Sequence, residues 1–165
     1  MSAVFYAHGQ SPHRCKVILY VYMESLRLLL IKNQSYLGKL RVRALYCTSA
    51  IYSVESDTHK QYGPFSGYWD EWYIEADEMN QELVDNISAT AVFLLELRDF
   101  VATIEQRKRL TKSDKAYVLE VTSLAEGKLA EQQELLSSIN ERIELHRQLT
   151  EKLLMVEAID SLSDE

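Results

Sequence analysis

An all-α fold is predicted: a long antiparallel helical hairpin of coiled-coil or bundle type, preceded by a short N-terminal region. Three observations predict it. From Tyr73 to Ile104, residues recur in unbroken steps of three and four: Tyr73, Ala76, Asn80, Leu83, Ile87, Thr90, Leu94, Leu97, Val101 and Ile104. That spacing draws a single stripe along a helix, the seam against which a second helix packs. Five Gly and two Pro in 165 residues are few, as long helices require. Finally, Leu110-Thr111-Lys112 separates this pattern from a second helical one, and so short a connection forces an antiparallel reversal.

Residues 1–60 form a basic head that is the hardest part to read. Val17–Ile31 suits one helix, with Ile18, Val21, Tyr22, Leu26, Leu29 and Leu30 toward a core. Lys39 to Ala44 alternates polar and apolar, which is the period of a strand and also fits the charged edge of a helix. The head either folds back on the hairpin or stays apart from it.

The hairpin is assigned to residues 66–160, with 161–165 an acidic tail. Its first helix begins after the turn-forming Gly63, Pro64, Ser66 and Gly67. Asp70, Glu71, Glu75, Asp77 and Glu78 near its start, and Arg107, Lys108 and Arg109 at its end, oppose the helix macrodipole. Thr111 and Asp114 have the spacing of a capping box for the second helix, and Ser113 is a competing cap. One register of that helix collects Val118, Val121, Ala125, Lys128, Gln132, Leu135, Ile139, Arg142, His146, Leu149, Leu153 and Val156. A shifted register collects Leu129, Leu136, Ile139, Ile143 and Leu153, so the apolar stripe is wide and drifts. Val84, Phe93, Leu95 and Phe100 lie off the first seam. Burying each Phe is worth about 2–3 kcal/mol, so this surplus predicts a third element or a second chain.

Charge divides the molecule. Residues 1–45 carry seven basic side chains against Glu24 alone, and residues 46–165 carry eleven basic against 24 acidic. An acidic body lacks the basic track that nucleic acid needs, so no nucleic-acid partner is expected. Residues 14–43 offer a basic segment for contact with a membrane surface, and an acid-poor, Arg-containing start also suits a mitochondrial presequence. No run of 18 uncharged apolar residues is present, and Glu24 and Arg27 interrupt the closest one, Val17–Ile31, so neither a spanning helix nor a secretory signal is expected. Cys15 and Cys47 stand far apart without a CxxC, as two reduced thiols of a cytoplasmic protein would.

Motifs of catalysis are missing. There is no Gly-rich phosphate loop, nucleophile elbow, HExxH or EF-hand pattern. A di-iron bundle needs Glu-x-x-His on inward faces, but Ile143 stands three residues before His146. His8, His13 and Cys15 lack a fourth ligand for a metal. No cofactor, no metal and no enzyme activity are therefore expected. Asn80 and His146 are read as polar seam positions that set register, with His146 also a candidate pH switch. Tyr62, Phe65, Tyr68, Trp69, Trp72 and Tyr73 form the densest aromatic run, read as packing at the start of a helix rather than as an interface. The sequon Asn86-Ile87-Ser88, the tyrosine pattern Tyr20-Met23 and the acidic-context Ser161 and Ser163 are short matches of the kind that arise by chance.

What remains is association. The C-terminal hundred residues resemble the short coiled-coil subunits of trafficking, ciliary, tethering and cytoskeletal assemblies, a likeness of heptads and acidic surface that carries over no functional residue. The expected role is a non-catalytic interaction subunit that pairs with a helical protein partner or with itself. The expected partner-binding residues are Leu83, Ile87, Leu94, Leu97, Val101, Ile104, Leu135, Ile139, Leu149 and Leu153. Two alternatives stand beside it: a membrane-surface or organelle-targeted protein acting through its basic N-terminal segment, and an enzyme with a site inside the bundle.

Overall fold

The computed structural model describes residues 12–56, 66–107 and 109–163, with side chains from 20–51, 67–107 and 109–163. Three helices account for nearly all of it: α1 (Pro12–Ser56), α2 (Ser66–Glu105) and α3 (Lys112–Ser163). At 45, 40 and 52 residues they extend roughly 68, 60 and 78 Å. The fold is all-α, as predicted, and no strand occurs among the described residues.

The head takes the first of its two alternatives and folds back on the hairpin, as a helix longer than Val17–Ile31. It forms one helix with the third-element role that the apolar surplus on the hairpin requires. Leu26, Leu30, Asn33, Leu37, Leu40, Ala44, Cys47 and Ile51 follow one another in steps of four and three, and all are buried or half-buried. Lys39 to Ala44 continues this helix, so its alternation marks a charged helix edge and not a strand. Leu26 and Leu29 face the core as expected, while Val21 is exposed. Ile18 lies outside the described side chains.

Ion pairs and hydrogen bonds fix the directions. Arg27 of α1 meets Glu105 of α2 at 2.7 Å, and Thr48 meets Asn80 at 3.5 Å, so these helices are antiparallel. Asn33 of α1 reaches Ala125 and Gln132 of α3, and α3 runs parallel to α1, because Val118 to Ala125 cluster with Met23 to Leu37 and Ile139 with Leu40 and Cys47. Arg142 of α3 pairs with Glu75 at 3.0 Å and Glu82 at 3.3 Å on α2. The α2–α3 hairpin is antiparallel as predicted, but its two helices touch each other least. Each packs mainly on α1, which makes α1 the centre of the bundle.

The core falls into two clusters along the axis. One joins Met23, Leu26, Leu29 and Leu37 to Leu94, Leu97, Val101 and Ile104 and to Val118, Val121 and Ala125. The other joins Leu40 and Cys47 to Trp72, Ala76, Met79 and Leu83 and to Ile139. Ile87 packs against both. Phe93 and Phe100 are half-buried against the first cluster, and Phe100 meets Tyr117 edge-on at 5.1 Å. Val84 and Leu95 stay exposed.

On α2 the expected seam holds at Ala76 and from Leu83 to Ile104, and leaves the interior at two upstream positions. Trp72 and Met79 take the interior, while Tyr73 and Asn80 are half-buried beside it. Withdrawing an amide from water costs free energy that withdrawing a thioether does not, so Met79 rather than the adjacent Asn80 takes the interior. On α3 the first register holds from Val118 to His146, with Val118, Val121, Ala125, Gln132 and Ile139 buried. The acidic residues expected in the first turn of α2 begin just after it, and Arg107 and Arg109 lie just past its end.

The capping box forms with Asp in place of the usual Glu or Gln. Thr111 donates its N–H and its hydroxyl to Asp114 Oδ2, both at 2.8 Å, and Asp114 N–H donates to Thr111 Oγ1 at 3.1 Å. These bonds from Thr111, with help from Arg107, hold the Asp114 carboxyl below the usual carboxylate range. A lowered carboxyl contributes stability that is complete above its unfolded value and is lost as pH falls through the folded one. Acidification should therefore fray the start of α3 before the bundle core. Amide exchange at residues 112–115 against pH should show it, and Asp114→Asn should abolish the pH dependence.

Candidate functional site

Eight of the ten expected partner-binding residues are occupied within the chain. Leu83, Leu94, Leu97, Val101, Ile104 and Ile139 are buried in the two clusters, and Ile87 and Leu135 are packed against them. The helix that the α2 seam calls for is α1, and no second chain is needed to cover it. Leu149 is exposed and Leu153 half-buried, so only the last two stand at the surface.

The polar residue that sets register is also not the expected one. Asn80 sits at the edge of the interior, whereas Asn33 and Gln132 are fully buried and bonded to each other across α1 and α3. Asn33 Nδ2 donates to Leu29 O at 2.9 Å and to Ala125 O at 3.1 Å. Gln132 Nε2 donates to Asn33 Oδ1 at 2.6 Å and to Lys128 O at 3.2 Å. Gln132 Oε1 accepts nothing among the described residues. An amide pair inside an apolar interior is satisfied in one alignment only, so it penalises slippage of α3 along α1. Its sequence signal was present on α3, where Gln132 lies in the predicted register, but Asn33 escaped because the head gave no reliable period.

At the other end of the bundle the aromatic run closes over His146. The His146 ring stacks on Trp72 with centroids 3.5 Å apart and planes 4° from parallel, and Tyr68 stacks at 5.8 Å. Tyr68 Oη also shares a hydrogen bond with His146 Nδ1 and contacts Thr150 Oγ1 at 3.2 Å. Burial pushes the Tyr68 phenol up. The core reading of this run holds for Trp72, which is buried, with Tyr68, Trp69 and Tyr73 half-buried around it. Tyr62 and Phe65 lie outside the described residues.

Cys47 is a free, buried thiol, and burial pushes its pKa up, which makes it a packing residue rather than a nucleophile. His8 lies outside the described residues, as do the side chains of His13 and Cys15. Among the described residues no three His, Cys, Asp or Glu side chains gather where a metal ion would sit. None of the described helices is long and apolar enough to cross a membrane. Asn86, the sequon residue, accepts the Thr90 hydroxyl within α2 at 3.3 Å.

The described residues thus form a three-helix bundle, all-α, with an up-down-up order and α1 at the centre. Comparison with family models, with curated proteins and with solved structures gives no match for the chain.

Proposed function

We propose that this chain is a non-catalytic helical interaction subunit of a multiprotein assembly. One observation carries the reading. From Glu151 to Ser163 every residue of α3 except the half-buried Leu153 is exposed. Leu154, Met155, Val156, Ile159 and Leu162 are among them, at 44–75% exposure. Contiguous apolar surface on an otherwise charged helix is the mark of a surface that another protein covers. Cytoplasmic residence belongs to the same proposal, with the Cys47 thiol in the free state that a reducing compartment maintains.

The test is Met155→Asp combined with Ile159→Asp. Both side chains are exposed, so helix content and melting should match wild type. Affinity purification should lose the proteins that intact chain recovers, or light scattering should show a loss of self-association. Identical recovered proteins and identical mass for the two forms would remove the reading.

A further inference from the structure

α1 carries a second seam on the face turned away from its own bundle. Positions 21, 24, 28, 31, 35, 38, 42, 45 and 49 advance in steps of three and four, as the inner seam does. Val21, Leu28, Ile31, Val42 and Leu45 on this line are 51–69% exposed. A residue two positions along a helix is rotated by about 200°, so this line lies opposite the one holding Leu26, Leu30 and Leu37. A helix with apolar heptads on two opposite faces is built for neighbours on both, and only one face is covered by α2 and α3.

The centre of the outer seam is shaped for close approach. Ser35 and Gly38 are small and exposed, and a Cβ on Gly38 would meet nothing within 4 Å. Nothing inside the chain therefore requires glycine there, although glycine weakens a helix interior. A crossing helix would use that gap.

Flanking charge names the occupant. The positions bordering the seam hold Arg27, Lys32, Lys39 and Arg41 and no acid. Arg27 is engaged by Glu24 and Glu105, which leaves Lys32, Lys39 and Arg41 with no acidic partner among the described residues. Two α1 helices packed through this seam would set Lys and Arg against each other in either orientation, which disfavours α1–α1 pairing. A lipid surface is a poorer fit, because Glu24, Ser35, Gly38 and Ser49 interrupt the face that would have to enter it. We infer that the outer seam of α1 docks an acidic amphipathic helix of a partner protein, with apolar residues in the seam and Glu or Asp facing Lys32, Lys39 and Arg41. This rests on the interaction reading above, but on a different surface from the end of α3.

The probe is a designed peptide of about four heptads with Val and Leu in its seam and Glu on both flanks, compared with the same peptide carrying Lys. Fluorescence anisotropy with the full chain should show binding of the Glu peptide at least about tenfold tighter than the Lys peptide, weakening as salt rises. Reversal of Lys32, Lys39 and Arg41 to Glu should invert that preference. Gly38→Leu should keep the melting transition and lose the peptide, whereas Gly38→Ala should keep both. The inference is overturned if neither peptide binds, if both bind equally, if Leu28→Asp dissociates a dimer of the chain itself, or if the chain instead sediments with vesicles of phosphatidylcholine and phosphatidylserine through this face. If the α3 variant abolishes association while both peptides fail, the α1 assignment falls and the interaction reading stands. If the α3 test fails as well, both fall.

Discussion

A chain lacking residues 1–56 is expected to lose its cooperative unfolding transition and to self-associate. Met23, Leu26, Leu29, Leu37, Leu40 and Cys47 of α1 are all buried against α2 and α3. Burial of such side chains is worth about 1.5–3 kcal/mol each, so their removal costs on the order of 10 kcal/mol, comparable to the whole stability of a domain. It also uncovers Met79, Leu83, Leu97 and Ile104, and α2 and α3 pack too sparsely on each other to hide them. Circular dichroism on heating and light scattering would test this. A helical, monomeric remnant with the melting point of the full chain would place α1 outside the core. A graded version is Leu40→Ala, where loss of a fully buried leucine should cost about 2–5 kcal/mol in denaturant unfolding.

The second large effect belongs to the buried amide pair. Asn33→Leu removes one of the two acceptors of Gln132 Nε2 and leaves a buried glutamine held only by the Lys128 carbonyl, with its Oε1 already lacking a donor. Stranding such a group should cost about 1–3 kcal/mol. Gln132→Leu also leaves Asn33 Oδ1 without its donor, but should cost less, because Asn33 keeps its bonds to the Leu29 and Ala125 carbonyls and the unsatisfied Oε1 disappears. The double change to leucine should recover most of the loss, giving a coupling energy that a double-mutant cycle in urea can read. Stability would return without the device that fixes how α3 aligns with α1, so amide exchange along α3 should become less uniform. Additive single and double effects would mean that the two amides do not act as a pair.

What the sequence made legible was decided by how each helix repeats. α2 keeps a nearly regular heptad, and Leu83 to Ile104 could be placed inward from it. α3 drifts, yet Val118 to His146 followed one register because Gln132 and His146 are polar seam residues in the right phase. The Thr111–Asp114 box was readable because capping is local chemistry, settled within one turn. α1 was obscured by its own symmetry. With apolar residues on two opposite faces, Val21, Leu28 and Val42 mask the inner line of Leu26, Leu40 and Cys47, and no single stripe stands out. The candidate interface was misplaced for a different reason. Leu83, Leu94 and Leu97 gave a true signal for a partner helix, but a sequence does not say whether that helix lies in the same chain.

The central position of α1 has a consequence for the order of assembly. Its bonds to α3 join residues 92 and 99 positions apart, whereas α2 follows α1 directly and lies antiparallel to it. Loop closure favours neighbouring helices, and α2 and α3, though joined by the shorter turn, pack sparsely on each other, so α1 and α2 should zip first and α3 should dock on them afterwards. Until it arrives, Asn33 has no partner on α3. On that order the amide pair would form last, rewarding α3 only when it docks in its final alignment.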